Sequence, residues 1–467
     1  MANTAAAGGK SRIDIALLVA VLLIPAILGS SQTIFNDGDV SWHIATGQWI
    51  LGHRAIPSTD PFSFTWFGKP WVPIEWLSEV IYACGYRLAG YAGVAALVTA
   101  VLMALHATVY FNANRWVRSS LLPIIAMDFV LIPMLSARPH VLTWPLLAFW
   151  TWLMMRAREQ DLAPPLIAAA LMTLWANLHG GFVFGLAIAA AFGLEALVET
   201  QDKPRAFRQW LVFGIACALA CLVNGNGLEG ALHPLRFTQL QMLPLIDEWK
   251  PSSPSHTPFS FAVLAVTLAL IAWKRPRLSW VRWLLLGAML GLALLQVRHQ
   301  AMLAIAAAMI LPQGFARRPA QNMPEIDLLS RRIALGGAAL LVAARLLMPL
   351  QPPDNEANPW KLIAMVPPDL RSQPVLNGYT MGGPLILSGI RPYIDGRGDM
   401  YGDEHVVGYS RIAHGDGALF AAAVQRWNIR WAILPNDSKL IGLLQHSPDW
   451  RLVARDKVGV IYKRVSA

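Results

Sequence analysis

Tyr91-Ala92-Gly93-Val94-Ala95-Ala96-Leu97-Val98-Thr99-Ala100-Val101-Leu102-Met103-Ala104-Leu105-His106-Ala107-Thr108-Val109-Tyr110-Phe111 contains no Asp, Glu, Lys or Arg. As a helix it matches the length that the hydrocarbon core of a bilayer demands, roughly 20 apolar residues. Ten further runs of this kind flank it. The expected spans lie near 13–30, 91–111, 119–136, 140–155, 165–178, 181–198, 209–223, 258–273, 280–296, 299–313 and 333–350, so the expected architecture is a mainly α, polytopic helix bundle of about eleven spans. The fifth and sixth are separated only by Asn177-Leu178-His179-Gly180-Gly181.

Composition agrees. The 467-residue chain is 55% hydrophobic and only 14% charged, whereas soluble proteins carry about 25% charged residues. Too little charge remains to cover a water-facing surface. The net charge of +10 does not indicate nucleic-acid binding, because the basic residues fall in short clusters between apolar runs and not on one face of a polar domain.

Those clusters set an orientation. With the N-terminus in the cytoplasm, the inner pieces hold Lys10, Arg12, Arg115, Arg118, Arg156, Arg158, Lys203, Arg205, Arg208, Lys274, Arg275, Arg277, Arg282, Arg317, Arg318, Arg331 and Arg332. The longer outer loops hold only Arg54, Lys69, Arg87, Arg138, Arg236, Lys250 and Arg298. This bias is the positive-inside pattern, and it never flips along the chain. The first run, following Lys10 and Arg12, reads as a retained span and not as a cleaved signal. An odd span count places residues 351–467 outside, as a small α/β domain with strand-like runs at 374–377, 429–434 and 459–462. Helical segments are expected near 418–427 and 437–445, and a strand running into a glycine-rich turn at 392–402. The bundle then comprises 1–350, with outer loops at 31–90 and 224–257. The three cysteines, Cys84, Cys217 and Cys221, form no metal-binding spacing.

The outer loops carry the chemistry. Asn36-Asp37-Gly38-Asp39-Val40-Ser41-Trp42-His43 is followed by Pro57-Ser58-Thr59-Asp60-Pro61-Phe62-Ser63 and by Glu75-Trp76. Two carboxylates at i and i+2 beside a span end can bind a divalent cation or act as a base. They can equally form an Asx turn that starts a helix, with the tryptophans as an interfacial belt. Arg138/His140, Asn177/His179, Asn224/Asn226, Glu248/Trp249 and Arg298/His299 recur at outer span ends. Capping explains any single pair, while their concentration on one face points to a site. Arg138 and Arg298 each offer a planar fork to a phosphate. No phosphate-binding glycine loop is present. Asp128 and His106 lie at similar depth in neighbouring spans, either as an interhelical pair or as a proton path. Asp395 and Arg397 read chiefly as a buried ion pair shaping a turn.

These residues resemble the GT-C superfamily of membrane glycosyltransferases, which take sugars from polyprenyl-phosphate carriers and include protein mannosyltransferases and aminoarabinose transferases. The resemblance rests on Asp37-Gly38-Asp39 with His43 after the first span, an amphipathic segment at about 75–89, and many spans leading to an extracytoplasmic C-terminal domain. The string Asp37-x-Asp39-x-x-Trp42-His43-x-x-x-Gly47, Pro57-x-x-Asp60-Pro61-Phe62-Ser63, Glu75-Trp76 is similar to a bacterial branch of GT-C-like proteins. That similarity extends to Asn377-Gly378, Gly382-Gly383, Asp395-Gly396-Arg397 and Tyr401-Gly402. The resemblance implies a bacterial inner-membrane glycosyltransferase, a hexosyl- or pentosyltransferase acting with inversion on a polyprenyl-phosphate sugar arriving through the membrane lipid. The acceptor is a glycan, lipid or protein. It assigns the base to Asp37, with Asp39 a close second, since Asp-Gly-Asp stands where several relatives have Asp-Glu. It assigns the carrier phosphate to Arg138 or Arg298. By their place on the outer face, His43, Asp60, Glu75, Trp76, His140, His179 and His299 are the further candidate substrate contacts, with Asp60 and Glu75 shaping the acceptor groove. The cofactor stays open between none and a divalent cation on Asp37 and Asp39. The competing readings are a transporter or flippase using Asp128 and His106, and a non-catalytic partner in envelope polysaccharide assembly.

Overall fold

The computed structural model describes residues 13–316 and 326–465; Lys10, Arg12, Arg317 and Arg318 lie outside them. The fold is mainly helical, with one small sheet.

Every expected span falls on helix. Tyr91–Asn114 and Phe182–Glu199 are long and apolar enough to cross a membrane unaided. Ile15–Gly29, Leu121–Met134, Leu166–Leu178, Pro258–Lys274 and Trp280–Leu295 are apolar but shorter. Pro139–Glu159, Lys203–Cys221, Gln300–Gly314 and Leu328–Leu347 complete the set. The helix break expected at 177–181 is present: His179 is extended between Ala170–Leu178 and Phe182–Glu199.

The bundle packs around Tyr91–Asn114, whose Val94, Val98, Leu102, Leu105 and Val109 are buried at helical spacing. Facing outward, Leu122, Val266, Leu284, Leu335 and Leu340 are each more than half exposed. Pro258–Lys274 buries no residue at all. Exposed apolar area costs roughly 25 cal/mol per Å² in water, so this belt suits hydrocarbon. His106 Nε2 lies 3.1 Å from Asp128 Oδ2, while His106 Nδ1 donates to the Leu102 carbonyl. The interhelical-pair reading of these two residues therefore fits the geometry.

At the end of the bundle away from Asp37, Glu195 is buried between arginines: Arg282 Nε stands 2.8 Å and Arg158 Nε 3.8 Å from its carboxylate. Arg158 and Arg282, from two of the basic clusters, thus tie helix ends together.

The C-terminal unit contains β1 (Val375–Asn377), β2 (Trp431–Pro435), β3 (Trp450–Arg455) and β4 (Gly459–Arg464), in the order β1-β2-β4-β3. β1 and β2 are parallel, and the other pairs antiparallel. Successive side chains alternate faces. Leu376, Ala432, Leu434, Val460 and Tyr462 share a core with Trp42 and Ala45 of the first outer loop. Val375, Trp431, Ile433 and Ile461 pack on Leu362 and Ile363 behind the sheet.

The expected strand at 392–402 does not form. The backbone at 393–394 is satisfied by a side chain instead: Asn377 Oδ1 accepts from Tyr393 N at 2.8 Å, and Asn377 Nδ2 donates to Ile394 O at 2.8 Å. From Gly398 to Ala413 the chain is helical on either side of a kink at Gly402, where φ is 73°.

The first outer loop folds against this unit. It holds two helices, Asp39–His53 and Trp76–Ala89, the second matching the expected amphipathic segment. A Cβ on Gly38 would strike the Thr380 carbonyl, and one on Gly383 would strike the Gly38 carbonyl. Only glycine permits this backbone approach, which brings Asp37 and Asp39 against the C-terminal unit.

Candidate functional site

A cavity of about 1250 Å³ opens between the first outer loop, the ends of the bundle helices and the C-terminal unit. Asp37, Asp39, Glu75, Arg138, His140, His179, Arg298 and His299 line it. The residues expected from scattered loops converge on one space.

Arg138 is central. Its position before Pro139 favours extended backbone, as observed, and it caps helix Pro139–Glu159. Its carbonyl accepts from Tyr82 Oη at 2.9 Å. From there the guanidinium reaches into the cavity. Nη1 lies 3.0 Å from Asp37 Oδ2 and 3.1 Å from Glu248 Oε2, and Nη2 lies 3.4 Å from Asp39 Oδ2.

Asp37 and Asp39 do not play the same structural part. Asp37 Oδ1 accepts from the backbone N–H of Asp39 at 2.9 Å. The turn-forming reading of Asp37 is thus realised, and its other oxygen still faces Arg138. Asp39 occupies the first helical turn. A Cβ on Gly396 would collide with its carboxylate, so the glycine between Asp395 and Arg397 is the floor on which Asp39 rests. Burial raises the Asp39 pKa and the Asp37 charge raises it further. Arg138 lowers it only in part, leaving it at about 7.

Arg298 sits on the Val297–His299 turn between two bundle helices. Its guanidinium stacks 4.0 Å from the Trp249 ring centroid, and Nη1 lies 3.6 Å from Glu248 Oε1. Glu248 therefore bridges both arginines. Burial alone would raise its pKa, yet Arg138 and Arg298 pull it to about 2.

A second chain of polar groups leads inward from the cavity. The backbone N–H of Gly181 donates to His179 Nδ1 at 3.0 Å. In neutral His179 the proton must then sit on Nε2, which lies 3.3 Å from Glu75 Oε1. Burial and the Arg298 charge lower the His179 pKa and keep the ring neutral. Burial raises Glu75 to about 7. His43 stands behind, with Nε2 3.8 Å from Glu75 and Nδ1 3.4 Å from the buried Glu79. Burial, then the Glu75 charge, push the Glu79 pKa well up. Glu75 and Glu79 add two carboxyl groups to this wall, and their raised pKa values favour the protonated forms.

Three expected contacts fall elsewhere. Asp60 does not line the cavity. It is buried, accepts from the backbone N–H groups of Phe62 and Ser63, and pairs with Arg397 Nη1 at 2.7 Å. Arg397 also donates twice to Asp395, at 2.8 and 2.7 Å, and Tyr401 Oη donates to Asp395 at 2.7 Å. This closed network locks the first outer loop onto the C-terminal unit. Trp76 is likewise turned away, its Nε1 donating to Asn177 Oδ1 at 2.7 Å. His43 is buried one layer behind the lining.

Other lining residues were given no role in the sequence. Trp42, Trp71 and Trp249 offer ring faces of the kind that stack on sugars. Tyr379 and Asp399 come from the C-terminal unit, and His233 Nε2 lies 3.1 Å from Asp399 Oδ2. Trp42 stood in the acidic motif and Trp249 in an outer-end pair; only placement on outer segments hinted at the rest.

The residues present do not fit a divalent-cation centre. Asp37 and Asp39 converge on a guanidinium, and among the described residues no group of three or more His, Cys, Asp or Glu side chains is placed to hold a metal ion.

No protein-family model matches the chain, and no curated protein matches it. Among solved structures, it is similar to the crystal structure of ArnT from Cupriavidus metallidurans bound to undecaprenyl phosphate. The TM-score is 0.51 at 13% identity, covering 97% of this chain and 98% of that one. The likeness spans both the bundle and the C-terminal unit and shows an ArnT-like fold.

Proposed function

We propose that this GT-C-fold chain is a glycosyltransferase of a bacterial inner membrane, moving a sugar from a polyprenyl-phosphate carrier to a glycan, lipid or protein acceptor. The reading places the N-terminus in the cytoplasm, residues 1–350 in and around the membrane, and residues 351–467 in the periplasm. The observation that carries it is Arg138 holding Asp37 and Asp39 while facing Arg298 across one cavity. Proton acceptors and phosphate-binding forks stand together where lipid and polar space meet. The neighbouring fold of ArnT, whose structure contains undecaprenyl phosphate, supports the same carrier.

The chemistry follows from these positions. The acceptor hydroxyl gives its proton to Asp39 or Asp37. Its oxygen bonds to the anomeric carbon from the face opposite the carrier. The bond from that carbon to the phosphate oxygen breaks, and the electron pair leaves with the phosphate. Arg138 and Arg298 stabilise that developing charge, in a site where fixed charges are far more effective than in water. Inversion at the anomeric carbon is the expected outcome. His140, His179, His299 and Glu75 line the space left for sugar and acceptor. Asp60 acts at a distance, by fixing the loop that carries Asp37.

The test is transfer by the purified chain in lipid nanodiscs, given polyprenyl-phosphate sugar labelled in the sugar, with isolated envelope as acceptor. Label should appear in one envelope polymer while free polyprenyl phosphate accumulates. Failure to consume any of a panel of hexosyl and pentosyl donors would refute the reading.

A further inference from the structure

Glu248 fills the gap between the two guanidinium groups assigned to the carrier phosphate. Its Oε2 is 3.1 Å from Arg138 and its Oε1 3.6 Å from Arg298. This wall of the cavity already sets three carboxylates, Asp37, Asp39 and Glu248, against two arginines. The phosphodiester of the donor, and still more the phosphate monoester left after transfer, adds negative charge between the arginines, so one carboxylate has to leave.

The three are not equally free to do so. Asp37 is tied into the helix start through the Asp39 N–H, and Asp39 rests on Gly396. Glu248 sits on a single 3-10 turn, Asp247–Trp249, and a third of its side chain is exposed. Its neighbour Trp249 is anchored between Phe237, at 5.0 Å, and Arg298. The turn can therefore swing about a fixed tryptophan.

We propose that Glu248 is an internal anion that occupies the phosphate subsite of the empty protein and is displaced from Arg138 and Arg298 by the phosphate of the donor. This rests on the glycosyltransferase reading and adds a residue that sets donor affinity. Glu248 keeps the arginines ordered between turnovers, lowers the net affinity for phosphate monoesters, and helps expel the carrier phosphate after transfer by returning to its place.

The experiment measures binding to the detergent-solubilised full chain. The probe is farnesyl phosphate, with farnesol as the phosphate-free control. Glu248→Gln should bind farnesyl phosphate about tenfold more tightly, the scale of one charge-assisted hydrogen bond that no longer competes. Farnesol binding should not change. In the unaltered protein, amide exchange across 243–250 should speed up with farnesyl phosphate and not with farnesol, a readout that needs no variant. Equal or weaker binding by Glu248→Gln, or unchanged exchange, overturns the displacement and leaves the phosphate site standing. If neither protein distinguishes farnesyl phosphate from farnesol, the phosphate site and the displacement fall together.

Discussion

Arg138 Nη1 stands 3.0 Å from Asp37 Oδ2 across 101 positions of sequence. The same guanidinium reaches Asp39 and Glu248, so one side chain joins the acidic motif to the proposed phosphate subsite. A planar fork offers five donors in a fixed geometry, whereas an ammonium is a compact charge with three rotatable donors and no bidentate face. Arg138→Ala should lower the transfer rate about 10²–10³-fold, the usual loss when one preorganised electrostatic donor is removed. Arg138→Lys should recover only part of it. Initial rates with the labelled donor measure both, and a near-normal rate for Arg138→Ala would remove Arg138 from the chemistry.

The pH dependence follows from Asp39. Its carboxyl titrates at about 7, raised by burial and by the Asp37 charge and lowered by Arg138. A base must be deprotonated to act. With Asp39 as the base, activity should fall on the acid side of about pH 7, by about tenfold per pH unit. Asp37→Asn removes one cause of the raised value, so the acid limb should move to lower pH. Arg138→Gln removes a lowering cause and should move the limb of its residual activity upward. A limb that stays in place in Asp37→Asn would point away from Asp39.

The closed network Asp60–Arg397–Asp395 is a stability element. All three residues are essentially inaccessible. Removing one partner of a buried pair costs about 3–5 kcal/mol, because the remaining charge is left uncompensated. Arg397→Met should lower the thermal unfolding midpoint sharply and loosen the first outer loop from the C-terminal unit. Limited proteolysis within 54–75 reports that loosening. An unchanged midpoint would mean that the network is dispensable.

Asp128 separates the enzyme from the transporter. It is paired with His106 at 3.1 Å, and neither residue lines the cavity. Asp128→Asn should therefore keep near-normal transfer, with a stability loss of about 0.6 kcal/mol, typical of one polar contact between membrane helices. Loss of all function in this variant, with the outer-loop acids tolerant of change, would favour proton-coupled transport.

Much of this was legible in the sequence, for physical reasons. Apolar runs announce helices because hydrocarbon tolerates no unsatisfied backbone, and every predicted run falls on helix. The outer-loop acids stood out as charge beside a span end. Partner choice was not legible. Nothing local tells Asp60 to turn inward toward Arg397, 337 positions away, while Asp37 in the same loop turns to the cavity. Glu248 was visible as a polar residue at an outer span end, but its bridging of two arginines depends on the fold of 224–257. The strand expected at 392–402 failed because Asn377 supplies from its side chain the hydrogen bonds that a neighbouring strand would have given. Such substitutions of side chain for backbone leave no periodic trace.

The central claim is that an aspartate of the first outer loop takes the acceptor proton beside a carrier phosphate held by arginine. The most direct measurement is transfer from a labelled polyprenyl-phosphate sugar by Asp37→Asn and Asp39→Asn, each assayed separately in nanodiscs. The account predicts that at least one variant loses about 10²–10⁴-fold in rate, the contribution of a positioned general base, while still binding farnesyl phosphate. Full activity in both variants would contradict it.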